Sequence, residues 1–193
     1  MPAPRPLDRL PDGAAFAAIE LALAGAGLAA ARLIYGPFTG LRADIDLRST
    51  ALAAALSLPL LAFAALAASR RGVALPGLRR IYHDLKDSPI GDYIRRGTWP
   101  SFLLLSLCAG GMEELLFRAV LQTHWGIWLT ALAFGLFHAL SPAYFAAATL
   151  IGLYLGWTFP FADGNLYVPA LIHALYDFIV LLLYRRRMRA ESG

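Results

Sequence analysis

Charge is what this sequence has little of. Of the 193 residues only 16% are charged, against about 25% in an average soluble protein, and 59% are hydrophobic, with a mean hydropathy of +0.58. A soluble globule has too little interior for that many apolar side chains, so the sequence predicts a protein embedded in a lipid bilayer. The same composition excludes an intrinsically disordered chain and a coiled coil.

Cysteine and lysine are each present once. Cys108 has no partner for an internal disulfide and is interpreted as a small apolar core residue. Lys86 stands beside sixteen arginines, a bias that, with abundant Ala and Leu, is typical of a GC-rich prokaryotic gene. The net charge is +4, but the basic residues lie between apolar runs. This pattern indicates membrane topology and no nucleic-acid partner.

Six apolar stretches predict an all-α, polytopic bundle of six transmembrane helices. By number they cover residues 13–36, 49–69, 100–122, 126–140, 143–161 and 166–184. These lengths bracket the roughly 20 residues that cross a bilayer. Residues 70–99 are predicted to form a basic loop with a short interfacial helix, and residues 162–165 to form a turn.

The basic residues predict the orientation. Seven of them between residues 70 and 96, and four after residue 184, share a side with Arg5, Arg9 and both termini. The positive-inside rule therefore predicts that both termini are cytoplasmic, in a bacterial inner membrane.

Ionisable residues inside the spans are the functional candidates, because each costs about 2.5–3.5 kcal/mol on insertion scales. Glu20 and Arg32 in the first span are twelve residues apart and are interpreted as structural. The C-terminal half is different, because three of its apolar spans carry two carboxylates, an arginine, two histidines and an aspartate. These residues are Glu113, Glu114, Arg118, His138, His173 and Asp177.

Their spacing predicts specific pairs. Glu114 and Arg118 are four residues apart, so they share a helix face and are predicted to form a buried ion pair. Glu113 lies about 100° around the helix from Glu114 and is predicted to face a cavity. His173 and Asp177 are also four apart, so the carboxylate is predicted to hold one ring nitrogen.

An aromatic residue accompanies the first of the two histidine-bearing spans. Phe134 precedes His138 by one helical turn, where its ring is predicted to pack beside the imidazole.

Together these residues resemble the three signature motifs of the CAAX-protease and bacteriocin-processing family, whose members include the type II CAAX prenyl endopeptidase. The motifs are Glu113-Glu114-x-x-x-Arg118, Phe134-x-x-x-His138 and His173-x-x-x-Asp177. The resemblance covers residues 95–184. It implies a division into an N-terminal pair of spans with the basic loop (1–99), a catalytic helical core (100–184) and a basic cytoplasmic tail (185–193), all in one membrane domain.

The resemblance implies an intramembrane endopeptidase. Glu113 matches the glutamate that activates water, and His138 the histidine that helps to hold this water. His173 and Asp177 match the pair that stabilises the oxyanion, while Glu114 and Arg118 match a supporting ion pair.

Position 177 departs from the family pattern, which often has Asn there. An ionised Asp is a poor oxyanion donor, so Asp177 must be protonated or must orient His173. A divalent metal held by Glu113, His138 and His173 is the alternative mechanism. A mechanism that needs no metal or other cofactor is favoured.

The implied partners are the lipid bilayer and a membrane-anchored protein or peptide, from which the enzyme would remove a leader or a C-terminal tail. Two other functions remain open: a catalytically silent member of the same fold, acting as a bacteriocin-immunity factor or scaffold, and a proton-coupled transporter.

Overall fold

The computed structural model describes residues 12–37 and 40–191, and most of these residues are helical. The helices in chain order are α1 (Asp12–Tyr35), α2 (Leu47–Ala68), α3 (Arg70–Ala74), α4 (Pro76–Lys86), α5 (Pro89–Arg96), α6 (Trp99–Glu114), α7 (Gln122–Phe137), α8 (Pro142–Phe161) and α9 (Tyr167–Ala190). A π-helical segment, Leu115–Leu121, joins α6 to α7. Arg5 and Arg9, used to predict the orientation, lie outside the described residues.

Four of the described helices are long and apolar enough to cross a membrane. They are Ala15–Tyr35, Leu47–Ala68, Pro142–Phe161 and Tyr167–Ala190. They agree with the first, second, fifth and sixth predicted spans, except that the last continues to Ala190. Their outer faces expose large apolar side chains such as Leu33, Leu58 and Leu150, which suit a lipid environment. The prediction of an all-α, polytopic membrane protein is confirmed.

The third and fourth predicted spans lie on one interrupted helical path. Thr98 caps α6, and Pro100 occupies its first turn, where a proline has no helical hydrogen bond to lose. The path continues through the π segment into α7 and breaks at Gly126, whose φ of 73° and ψ of 171° are not helical. Glycine adopts this positive φ without strain. The break between the third and fourth predicted spans therefore falls at Gly126.

The basic segment between the second and third predicted spans is mostly helical, which corrects the predicted loop. Ser69 and Ser88 accept hydrogen bonds from the first turns of α3 and α5, and Pro76 and Pro89 start α4 and α5. The helix α4 turns Tyr82 and Leu85 inward and its arginines outward. These caps and prolines explain why a charged stretch forms three short helices.

A polar cluster fastens the end of α9 to α4. The Tyr82 hydroxyl and the Lys86 ammonium both donate to Glu191 Oε2 at 2.8 Å. Burial raises the pKa of Tyr82 to about 12, and the hydrogen bond to Glu191 adds to the effect. Burial also acts to raise the pKa of the Glu191 carboxyl, but hydrogen bonds from Lys86 and Tyr82 outweigh it and leave the pKa below its usual value.

The opposite ends of the helices are joined through Asn165. Its side-chain amide donates to the Asp44 carbonyl at 3.0 Å and to Ser49 Oγ at 2.9 Å, and its oxygen accepts from the Asp44 amide. The predicted turn after α8 is present, with positive φ at Asp163 and Gly164. The α1–α2 loop and the α8–α9 turn are thereby held together.

Helix α9 lies at the centre of the described fold, packed against α2 and α6, while α7 packs against α8 and α1 against α6. The candidate residues lie on three of these elements and on the π segment. The packing of α9 against α6 therefore decides whether the motifs meet.

Candidate active site

Helices α6 and α9 approach each other closely at Gly110. A Cβ atom there would lie 2.6 Å from the carbonyl oxygen of Ala170 and 2.8 Å from the amide nitrogen of Ala174. A larger residue would push the two backbones apart, so glycine permits this approach. One turn further along α6, Glu114 is brought against His173 of α9.

Glu114 is fully buried and binds two partners. Its Oε2 accepts a hydrogen bond from Arg118 Nε at 2.7 Å, and its Oε1 lies 2.8 Å from His173 Nδ1. The predicted ion pair with Arg118 is confirmed, and the contact with His173, 59 positions away, was not predicted. A buried carboxylate with both oxygens engaged is well compensated for its loss of hydration.

The arginine is itself held from the other side. Arg118 Nη1 lies 3.4 Å from Gln122 Oε1, and Gln122 Nε2 donates to the Gly156 carbonyl at 2.8 Å. A Cβ atom at Gly156 would come within 2.7 Å of Gln122 Oε1 and 3.0 Å of Arg118 Nη1. The ion pair is therefore embedded in a tight contact between the π segment, the start of α7 and α8.

His173 has a carboxylate at each ring nitrogen. Glu114 engages Nδ1, and Asp177 Oδ2 lies 3.5 Å from Nε2. The predicted proximity of Asp177 is present, but Glu114 makes the shorter contact and is the residue that fixes the ring. The Asp177 side chain is 32% exposed, whereas that of His173 is 4% exposed.

Glu113 lies opposite His138, and its second oxygen has no partner. Its Oε1 is 3.5 Å from His138 Nε2, while its Oε2 is buried with no hydrogen-bond partner among the described residues. His138 Nδ1 lies 2.9 Å from the Phe134 carbonyl oxygen. Because a carbonyl only accepts, Nδ1 carries a proton, and the Nε2 of a neutral ring faces Glu113 as an acceptor.

Phe134 contacts both histidines. Its ring stacks on His138 with centroids 4.4 Å apart and an interplanar angle of 24°, as predicted, and meets the edge of His173 at 5.8 Å. The Arg118 guanidinium lies 5.4 Å from the same ring. All three motifs therefore meet around one buried aromatic side chain.

Two cavities of about 100 Å³ each meet at His138. The histidine cavity is lined by His138, His173, Asp177 and apolar side chains of α2, α4 and α8. The carboxylate cavity is lined by Glu113, His138, Glu20 and apolar side chains of α1, the π segment and α7. Each has room for water, which needs roughly 10–15 Å³. Glu113 and His173 were expected to face one cavity, but they line different cavities that share His138.

The residues named for a metal site do not form a ligand set. Among the described residues, no three His, Cys, Asp or Glu side chains are grouped so that they could hold a metal ion. Both nitrogens of His173 face carboxylates, and Glu113 opens on the other cavity. The arrangement instead offers a carboxylate and an imidazole nitrogen at 3.5 Å beside space for water.

Glu20 reaches this site, although its place in the sequence favoured a structural role. It is half-buried and lines the same cavity as Glu113 and His138. The sequence feature that could have indicated this is the position of Glu20, three residues after Ala17 and four before Ala24. These small residues lie on the face of α1 that packs against α6. Arg32, the other ionisable group of this helix, is exposed.

Residues 95–179 match the family model described as type II CAAX prenyl endopeptidase Rce1-like. The matched stretch contains all three motifs, so the predicted resemblance is confirmed: this part of the chain is a domain of the Rce1-like family, which is a family of proteases. The curated "Uncharacterized protein YpbD" of Bacillus subtilis (strain 168) is 37% identical over 87 residues.

The aligned residues make up 42% of this chain and 43% of YpbD, so the chain spans less than half the length of this curated relative. No solved structure matches the chain. The family membership therefore concerns the part of the chain that carries the candidate site.

Proposed function

We propose that this protein is an intramembrane endopeptidase that hydrolyses a peptide bond of a membrane-associated protein with water activated by Glu113. The observation that carries the proposal is the pairing of Glu113 with His138 at 3.5 Å, at the wall of a cavity with room for water. A carboxylate and an imidazole that face each other across such a space are suited to general base catalysis.

Glu113 and His138 each accept one hydrogen bond from the water molecule. The proton on His138 Nδ1 faces the Phe134 carbonyl, so Nε2 accepts a hydrogen bond from the water. Glu113 Oε1 accepts the second one. The water oxygen lone pair is then free to point at a substrate carbonyl.

Hydrolysis follows in two steps. Glu113 takes one proton from water while the water oxygen bonds to the carbonyl carbon, and the carbonyl electron pair moves to its oxygen. This tetrahedral intermediate then collapses, the carbon–nitrogen bond breaks, and the departing nitrogen receives the proton from Glu113. General base catalysis of this kind contributes about 10²–10⁴-fold.

His173 supplies the donor for the negative oxygen. Its Nδ1 is engaged by Glu114, so its Nε2, beside Asp177, is the nitrogen that faces the histidine cavity. A proton on Nε2, retained by the nearby carboxyl group of Asp177, stabilises the developing oxyanion. Glu114, Arg118 and Phe134 keep the ring in place.

The surroundings favour an apolar, membrane-anchored substrate. Most residues that line the histidine cavity are apolar, including Phe63, Ile81, Ile151 and Val180. We propose that the enzyme removes a leader or a C-terminal tail in a bacterial inner membrane, with both termini cytoplasmic. No metal is required by this mechanism.

The experiment compares membranes from cells that carry the wild-type protein with membranes that carry Glu113→Gln at equal abundance. Newly formed peptide ends are identified by mass spectrometry in both. A matched control is Glu191→Gln, which changes a carboxylate outside the site. Peptide ends present with wild type and Glu191→Gln, and absent with Glu113→Gln, are expected. Equal sets of ends in all three would contradict the proposal and favour the silent scaffold.

A further inference from the structure

Helix α1 is held along α6 and the elements that follow α6. The Phe16 ring lies 4.9 Å from that of Tyr93, just before α6, and Tyr35 stacks on His124 at 4.0 Å, beyond the π segment. Between these points, a Cβ atom at Gly27 would come within 2.8 Å of the Leu116 side chain. The position of Glu20 on this helix is therefore set by packing at both of its ends.

This packing brings Glu20 to the wall of the carboxylate cavity. Glu113 presents the unpaired Oε2 in the same region, and the Glu113 side chain is only 10% exposed. A buried carboxylate oxygen without a donor is unfavourable, because its lost hydration is not replaced. A protonated carboxyl group on Glu20 is a donor able to satisfy it.

Two carboxyl groups in one cavity do not both ionise readily. Like charges at short range favour one shared proton, and the protonated group then donates to the other. The other titratable groups around Glu20 are His138, His173 and Cys108, of which only the histidines can carry positive charge. Glu113 Oε2 is the buried oxygen that has no donor within the described part of the chain, so ionised Glu113 accepting from protonated Glu20 is the arrangement that supplies the missing hydrogen bond.

We propose that Glu20 is a positioning residue for Glu113: its protonated carboxyl group donates a hydrogen bond to Glu113 Oε2 and thereby directs Oε1 toward His138 and toward a water in the cavity beside them. The inference rests on the proposed function for its kinetic consequence. The shared proton itself does not depend on that function.

The shared proton is tested by infrared spectroscopy of the protein in lipid vesicles. The carbonyl stretch of a protonated carboxyl group is followed as a function of pH in wild type, Glu20→Gln and the control Glu191→Gln. At neutral pH, wild type and Glu191→Gln should show a protonated carboxyl band that Glu20→Gln lacks. A band of equal intensity in all three proteins would overturn the proposal.

The positioning role is tested by the cleavage rate on a substrate identified by the membrane comparison. Glu20→Ala removes the donor and should lower kcat about a hundredfold, the effect of a small misplacement of the base. Glu20→Gln keeps an amide donor and should restore most of kcat, and its rate should no longer change at the pH where wild type loses the shared proton.

The two failures are distinguishable. A Glu20→Ala protein that cleaves like wild type overturns the positioning role, whereas normal cleavage by Glu113→Gln overturns the proposed function and leaves the infrared test standing. If Glu20→Ala does not fold, the Glu20→Gln measurements decide.

Discussion

Glu113 and Glu114 are neighbours on one helix, yet their surroundings differ. Glu114 is fully buried with both oxygens engaged, by Arg118 at 2.7 Å and by His173 at 2.8 Å. Glu113 is also buried, but it has one contact at 3.5 Å, one unpaired oxygen and a cavity beside it. A carboxylate with all its partners supplied by protein holds a structure together, whereas one with open positions is available for a reaction.

The largest expected effect is on cleavage by Glu113→Gln. Glutamine keeps the shape of glutamate but cannot accept a proton from water, so cleavage should fall about 10²–10⁴-fold. The folded fraction should hold, because no short contact of Glu113 is lost. The measurement is turnover by purified protein in detergent, with samples matched for folded protein. Near-normal turnover would show that Glu113 is not the base, and the two glutamates would then not differ in function.

Glu114→Gln is the matched substitution on the adjacent residue. It leaves Arg118 buried without its counter-charge, which costs about 3–5 kcal/mol. The amount of folded protein and its thermal stability in detergent should therefore fall, together with activity. A variant that is as stable as wild type but inactive would show that Glu114 acts in the reaction and not mainly in the fold.

The two histidines extend the comparison with a smaller effect on stability. His173→Ala leaves Glu114 Oε1 buried and unpaired, at a cost of about 1–3 kcal/mol. His138→Ala removes the 3.5 Å contact to Glu113 and the ring's contacts with Phe134, but it breaks no short hydrogen bond to a fully buried carboxylate. Both should lose cleavage about as Glu113→Gln does. Equal thermal stability of the two variants would argue against the distinction between Glu114, whose oxygens are both paired, and Glu113, which has an unpaired oxygen.

Glu191 is a carboxylate with several partners, like Glu114, but it lies near water, so its hydrogen bonds contribute less to stability. It accepts from Tyr82, Lys86 and Arg187, but its side chain is 34% exposed, so Glu191→Gln should cost only about 0.2–1 kcal/mol. Because the folded-state pKa of Glu191 is lowered, its contribution is present above the ordinary carboxyl pKa and is lost as pH falls through the folded value.

Thermal unfolding in detergent between neutral and acid pH measures this contribution. The difference between wild type and Glu191→Gln should shrink as the pH falls. A difference that grows toward acid pH would contradict the sign of the pKa shift.

Much of the fold followed from local pattern. Apolar length alone predicted α2 and α8, and four-residue spacing predicted the pairing of Glu114 with Arg118 and the stacking of Phe134 on His138. These features depend on residues within one helix, where geometry is known in advance.

The features that were missed depend on residues far apart in the chain. The contact of Glu114 with His173 and the approach of Glu20 to Glu113 require knowledge of which helices pack together. The separation into two cavities also follows from packing and not from spacing. Most of the helical structure in residues 70–96 was missed for a different reason. The many charged residues favoured a loop, although serine caps and prolines at helix starts are present in the sequence.

The π segment between α6 and α7 has a consequence for insertions and deletions. A π turn contains about one residue more than an α turn, so a one-residue deletion within residues 115–121 would make the hydrogen bonding of this stretch more regular. The same deletion would shift the phase of everything that follows by about 100°. The helix would become more regular, but Gln122 and the start of α7 would turn away from Gly156. The contacts of the site, and not the stability of the helix itself, therefore require the present number of residues in this segment.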